Sequence, residues 1–310
     1  MTALEAAARL DPALRRFAAA RTDLSPEMLP AVRQSLDSRR AEAAAALDTT
    51  GVDISGATAR FGRASVGVRI YRGGPSPAPA VVYCHSGAFV LGNLDTDHRQ
   101  CVEFARRAEC TVISVDYRLA PEYRHPAAFD DVLTALRWVA TEAIGLQVDP
   151  LRIAVAGSSA GGALAALLAQ ASAAGAAPPV VFQLLHQPVL DDRPTASRRE
   201  FATTPGFDGP AVEQMWRHYV PVGADPATVA PARRFDLTGL ASAFISCSEL
   251  DPLRDEALDY AQRLLGAGVA TELHVSAGTC HGFDSLLPDW ELSRQLFALQ
   301  GAALRRALHR

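Results

Sequence analysis

Leu151-Arg152-Ile153-Ala154-Val155-Ala156-Gly157-Ser158-Ser159-Ala160-Gly161-Gly162 decides the fold. The apolar run, broken only by Arg152, reads as a buried strand, and the helix-forming run Ala163-Leu164-Ala165-Ala166-Leu167-Leu168 follows the small residues directly. Strand, sharp turn and helix are the setting that a G-x-S-x-G nucleophile elbow requires. Glycines 157 and 161 flank Ser159 because a side chain there would crowd the turn and the helix packed behind it. The turn lifts Ser159 Oγ to the sheet edge, and the N–H groups that follow open a helix, where developing negative charge is favoured. The same run contains neither G-x-x-x-x-G-K-[ST] nor G-x-G-x-x-G, so nucleotide binding is poorly supported.

With 310 residues, 49% of them hydrophobic, the chain can bury one large core with a small appended part. Net charge is -4, with 30 basic against 34 acidic residues, and no basic stripe argues for nucleic acid. The five cysteines (84, 101, 110, 247 and 280) are odd in number and show no C-x-x-C spacing. Four sit in or beside apolar runs, which reads as reduced, partly buried thiols rather than a disulfide framework. Met1-Thr2-Ala3-Leu4-Glu5 meets a charge early and has no long apolar stretch, so no secretory signal is expected. No run approaches the roughly 20 apolar residues that span a bilayer, so stable membrane insertion is not expected either. The expected location is cytoplasmic.

Residues 1–47 read as helical and somewhat separate. Asp11-Pro12 and Ser25-Pro26 look like N-caps followed by a first-turn proline, and Leu29, Val32, Leu36 and 43–47 form an apolar stripe. Val66, Val68 and Ile70 alternate with Gly67 and Arg69, which predicts a half-exposed strand between Val52 and Gly74. Buried strands are expected at 80–84, 111–115 and 151–156, and further strands at 179–185, 241–245 and 271–275. Helices are expected at 97–108, 127–143, 254–265 and 290–308. This alternation indicates an α/β protein with a mostly parallel central sheet flanked by helices. Residues 191–238 interrupt it with Pro194, Pro205, Pro210 and Pro221 and one helix at 210–219, too long for a simple crossover. With 1–47 they suggest a composite helical cap, leaving 48–190 and 239–310 as the core.

A serine nucleophile needs a base, a group that orients the base, and donors for the oxyanion. Glu249, Asp251 and Asp255 all lie near the end of the strand that begins at Ala241, and Asp251, just before Pro252, is best placed to show its carboxylate to the site. Glu249 and Asp255 have a rival role as helix N-terminal or surface carboxylates. Among eight histidines, His281 follows the last strand in Gly278-Thr279-Cys280-His281-Gly282, at the sheet edge shared with Ser159. The chain order Ser159, Asp251, His281 is that of α/β-hydrolases.

Five blocks occur in order: His85-Ser86-Gly87-Ala88-Phe89, Asp116 to Glu122, Gly157 to Gly162, Asp251 to Glu256, and His281-Gly282-Phe283. Together they resemble the landmarks of the hormone-sensitive-lipase-like carboxylesterases, from about residue 60 to the C-terminus. The resemblance implies an α/β-hydrolase core of eight strands under a helical cap, and cofactor-free, metal-free hydrolysis of short- to medium-chain acyl esters through an acyl-enzyme. Carried over residue by residue, it makes Ser159 the nucleophile, His281 the base and Asp251 its orienter. The N–H groups of Gly87, Ala88 and Ala160 become the oxyanion hole, and His85 braces the loop with Ser86. A small-molecule ester is the implied partner, and a homodimer stays open. Amide, lactone or formamide hydrolysis on the same triad, and a non-catalytic small-ligand receptor, are the alternatives.

Two positions depart from that pattern: Ser86 stands where the family usually has glycine, and Ser158 where it usually has an acidic residue. A side chain at Ser86 can crowd the loop and misplace its donors, or its hydroxyl can bond locally and hold them. The first effect is the expectation here, so that Ser86→Gly would raise kcat.

Overall fold

The computed structural model describes residues 3–309. Met1 and Thr2, where the reading of the leader begins, lie outside the described residues. The N-terminal part holds α1 (Ala3–Arg9) and α2 (Leu29–Ala45), followed by β1 (Asp53–Phe61), β2 (Ala64–Arg72) and β3 (Ala78–Cys84). Then come α3 (His98–Ala108), β4 (Thr111–Val115), α4 (Ala127–Thr141), α5 (Ala143–Leu146), β5 (Val148–Ser158), α6 (Ala160–Ala173) and β6 (Phe182–His186). The long connection after β6 carries α7 (Ala196–Glu200), α8 (Gly209–Tyr219) and α9 (Pro226–Val229). β7 (Ser242–Leu250), α10 (Arg254–Gly266), β8 (Thr271–Cys280), α11 (Phe283–Leu286) and α12 (Glu291–Leu308) complete the chain.

The eight strands form one sheet in the order β1-β2-β4-β3-β5-β6-β7-β8. β1–β2 and β2–β4 pair antiparallel, and every pair from β4 through β8 is parallel. β3 is buried at all seven positions because it lies centrally with helices on both faces. Alternation divides it: Val81 and Tyr83 face the α3–α12 side with Phe104 and Leu304, while Ala80, Val82 and Cys84 face the side of α4, α6 and α10. Each large apolar side chain so buried contributes about 1.5–3 kcal/mol relative to exposure. Because the central strands are parallel, the residues that follow β3, β5, β7 and β8 all emerge at one edge of the sheet.

Three local expectations change. The span Val52 to Gly74 is a two-stranded hairpin rather than one strand. β1 left no apolar alternation to read, since only Ala59 of its nine residues is buried. Asp11-Pro12 starts no α-helix; Asp11 Oδ1 accepts the Ala13 amide at 2.9 Å, its own amide donates to Gly278 O, and a short 3-10 turn follows at Arg15–Phe17. After Ser25-Pro26, α2 begins one turn late, with Ser25 O accepting the amides of Met28 and Leu29.

The N-terminal segment and the insertion touch. Leu24 N donates to Gln214 Oε1 at 2.8 Å, His218 Nε2 donates to Leu24 O at 2.6 Å, and Gly206 N donates to Ala20 O. Both lie over the sheet edge where β3, β5, β7 and β8 end. Among the described residues no helix is long and apolar enough to cross a membrane.

Candidate active site

Ser159 sits between β5 and α6 at φ 55°, ψ -118°, a backbone state disfavoured for an L-residue. Such strain, of order 1–3 kcal/mol, persists only where the surroundings fix it. Here the glycines do so by absence: a Cβ on Gly161 would lie 1.9 Å from Cys84 O, and one on Gly157 would lie 2.2 Å from Gly161 O. Helix α6 can therefore start against the end of β3 and force the sharp turn.

Ser159 Oγ lies 3.0 Å from His281 Nε2, and His281 Nδ1 lies 2.8 Å from Asp251 Oδ2. A carboxylate only accepts, so Nδ1 carries the ring proton and Nε2 is left to accept from the serine hydroxyl. Ser159 is 4% exposed and Asp251 0%. Asp251 was expected to show its carboxylate to the site; it reaches His281 from a fully buried position, its other oxygen taking the Leu253 amide at 2.8 Å. The rival acids are engaged elsewhere. Asp255 accepts the Ser197 amide at 2.7 Å and Arg254 Nε at 2.9 Å, and Glu249 accepts Gly278 N at 2.8 Å and Arg9 at 3.0 Å.

The loop after β3, residues 85–92, carries three consecutive positive φ angles, at Gly87 (132°), Ala88 (55°) and Phe89 (59°). A Cβ at Gly87 would meet Leu91 O at 2.0 Å. The amides of Gly87, Ala88 and Ala160 donate to no acceptor among the described residues, and all three residues line the same cavity or adjoin Ser159. Uncommitted N–H groups beside a nucleophile are what a developing oxyanion needs. His85 is neutral: burial brings its pKa down to about 4, despite the bond its Nδ1–H donates to Ser86 O at 2.7 Å. Its ring stacks on Tyr117 at 4.1 Å, and the Tyr117 hydroxyl donates to His85 O at 2.7 Å. The block at 116–122 thus backs the loop.

Of the two arrangements open to the Ser86 side chain, the locally bonded one is present. Its amide and hydroxyl both donate to Asp97, at 2.7 and 3.0 Å, and Tyr83 Oη lies 3.0 Å from the same carboxylate. The side chain is tied down rather than crowding the loop. Burial raises the Asp97 pKa, while the Ser86 amide and the Arg40 charge favour the carboxylate. From Tyr83 the polar chain continues to Gln100 Oε1 at 2.9 Å, then from Gln100 Nε2 to Asp284 Oδ2 at 3.2 Å. Asp284 Oδ1 is 3.2 Å from His186 Nε2, a second His–Asp pair buried beneath the elbow. Burial works against the Asp284 carboxylate, but the His186 ring beside it brings its pKa below the usual value.

A cavity of about 530 Å³ opens at Ser159 and His281 and runs past Ala88, Leu91, Phe207 and Leu36. Sequence reasoning missed Asp97, Gln187 and Arg33. Gln187 accepts the Gly282 amide at 2.7 Å and donates to Ser248 Oγ at 2.7 Å, which ties down the loop of His281. Ser158 is buried and lines the cavity.

Among the described residues no cluster of side chains could hold a metal ion. A serine beside a paired histidine and buried acid, at the parallel-strand edge of this sheet, defines a serine hydrolase of the α/β-hydrolase class. The family model for the alpha/beta hydrolase fold matches residues 81–285, and the chain belongs to that family, in its hormone-sensitive-lipase-like esterase branch. Esterase LipI of Mycobacterium tuberculosis is 42% identical over 226 residues, 70% of this chain and 71% of that protein. Carboxylesterase NlhH of the same species is 43% identical over 239 residues, 74% of each. Among solved structures, esterase LipW from Mycobacterium marinum superposes with a TM-score of 0.96 at 57% identity, covering 99% of this chain and 98% of that one. A bacterial heroin esterase superposes with a TM-score of 0.91 at 36% identity, covering 97% and 98%.

Proposed function

We propose that Ser159 is the nucleophile, His281 the general base and acid, and Asp251 the group that orients the ring, in hydrolysis of short- to medium-chain acyl esters. The observation that carries this is the unbroken line Ser159 Oγ, His281, Asp251 at 3.0 and 2.8 Å. As Oγ attacks the ester carbonyl, its proton passes to His281 Nε2, and Asp251 stabilises the imidazolium. The carbonyl oxygen becomes an oxyanion held by the amides of Gly87, Ala88 and Ala160. His281 then gives the proton to the leaving alcohol. Water, deprotonated by the same nitrogen, attacks the acyl-enzyme and releases the acid.

Residues 1–47 and 191–238 act as a composite cap in this reading, supported by their mutual hydrogen bonds and by Leu24, Leu36 and Phe207 on the cavity wall. The 530 Å³ available suits a small ester. Five buried free thiols favour the cytoplasm, a reducing compartment. The test is a kinetic panel of esters varied in acyl length and leaving group, with an activated fluorophosphonate as label. The label should add once, at Ser159, and Ser159→Ala should lose labelling and turnover together. Labelling elsewhere with turnover intact in Ser159→Ala would end the reading.

A further inference from the structure

We propose that helix α2 serves catalysis directly, through Arg33, a positioning residue that holds the oxyanion loop 85–92 in its donating shape. The proposal rests on the esterase reading above. The loop cannot hold that shape alone. Ala88 and Phe89 both sit at positive φ without being glycine, and inside the loop only the amides of Val90 and Leu91 return to a carbonyl, that of Gly87. Its conformation must be imposed from outside.

Arg33 supplies the imposing contact from the cap side. Its Nε donates to Val90 O at 2.7 Å and its Nη2 to Ala120 O at 2.7 Å. Ala120 N in turn donates to Phe89 O at 2.9 Å. Arg33, Val90, Phe89 and Ala120 thus close a ring in which the planar guanidinium fixes the spacing of two loops, a task suited to its rigid fork of donors. Glu122 aims that fork by accepting from both terminal nitrogens, at 2.7 and 2.9 Å. On the far side Tyr219 of α8 stacks on Phe89 with ring centroids 3.7 Å apart. Seven residues after Arg33, on the same face of α2, Arg40 favours the Asp97 carboxylate that anchors Ser86.

Docking and gripping are separable. Leu29, Val32 and Leu36 already pack α2 against the core, and Glu122, 54% exposed beside a partly buried Arg33, makes the ion pair itself a small contributor to stability. Arg33→Met keeps the apolar stem and removes the fork. Wild-type turnover and Ser159 labelling test the esterase reading by themselves; the variant tests the grip. We expect kcat to fall about 10- to 100-fold, short of the full loss of a donor, with KM within about threefold. The inhibition constant of a trifluoromethyl ketone, whose hemiketal oxyanion uses the same donors, should rise by the factor that kcat/KM falls. Arg33→Lys, which cannot bridge both carbonyls, should fall between. A folded Arg33→Met with wild-type kcat, or with a loss confined to KM, would overturn the proposal. If Arg33→Met does not fold, an unchanged kcat and ketone affinity in Arg33→Lys overturns it equally.

Discussion

Asp97 binds Ser86 twice, taking the amide at 2.7 Å and the hydroxyl at 3.0 Å. The doubled contact makes the residue before Gly87 a fixed point. If this tether holds the oxyanion loop, removing the hydroxyl costs rate. Ser86→Gly should lower kcat for a small ester about three- to tenfold, roughly 0.7–1.4 kcal/mol of lost transition-state stabilisation. Ser86→Ala should do nearly the same. Steady-state kinetics with both variants decides it, and a rise in kcat would restore the crowding explanation.

Asp251 and Asp255 should separate cleanly. Asp251→Asn leaves a buried amide facing His281 Nδ1 and destabilises the productive tautomer; the same exchange in another serine hydrolase costs about 10⁴ in kcat. Asp255→Asn weakens the Ser197 amide bond and the Arg254 contact, which belong to α7 and α10. Its effect should appear in Tm, with kcat within about threefold. A large kcat loss confined to Asp255→Asn would exchange the two roles.

His85 gives the stability curve a recognisable acid limb. The unfolded chain takes up a proton on this ring near pH 6.5, whereas the buried ring resists until about 4. The stability it contributes is thus present above pH 6.5 and is lost as pH falls towards 4. A shift of this size corresponds to roughly 3 kcal/mol. Urea unfolding at pH 7.5 and 4.5 should show His85→Gln losing about 2–3 kcal/mol less than the wild type over that interval. Equal losses in the two proteins would remove His85 from the account.

Gln187 should matter more than its apolar neighbours. Gln187→Ala frees Gly282 N and Ser248 Oγ from their bridge, which lets the His281 loop shift. The expected result is a kcat about tenfold lower with KM nearly unchanged. Gln187→Glu, which keeps the acceptor for Gly282 N, should recover part of the loss. Unchanged kcat in Gln187→Ala would show that β8 alone sets the histidine.

What the sequence displayed and what it concealed have separate physical origins. Ser159, Asp251 and His281 each follow a parallel strand, so apolar runs and the residues that end them were enough to bring all three to one edge. Asp97 was concealed because it precedes a helix, where an aspartate ordinarily reads as an N-cap. In the folded chain its side chain makes no capping bond and turns to Ser86 instead. Arg33 was concealed among the several arginines of α2, since no periodicity distinguishes a guanidinium that meets carbonyls from one that meets water. β1 was concealed for want of buried residues. Asp11-Pro12 carried the letters of a helix start, but a tertiary bond to Gly278 took the backbone elsewhere.

The five thiols have a practical corollary. All are buried and free, and burial raises the thiol pKa at Cys84, Cys101, Cys110, Cys247 and Cys280, to about 12 at the last three. While the chain is folded, a maleimide or an aromatic disulfide reagent should find nothing to modify. A single cysteine placed on α2 or α8 would then carry a fluorophore alone, with every native thiol left in place. Slow colour development from the parent protein would in turn time its rare openings, since Cys84 ends the central strand, and Cys247 and Cys280 lie on the two strands at the far edge.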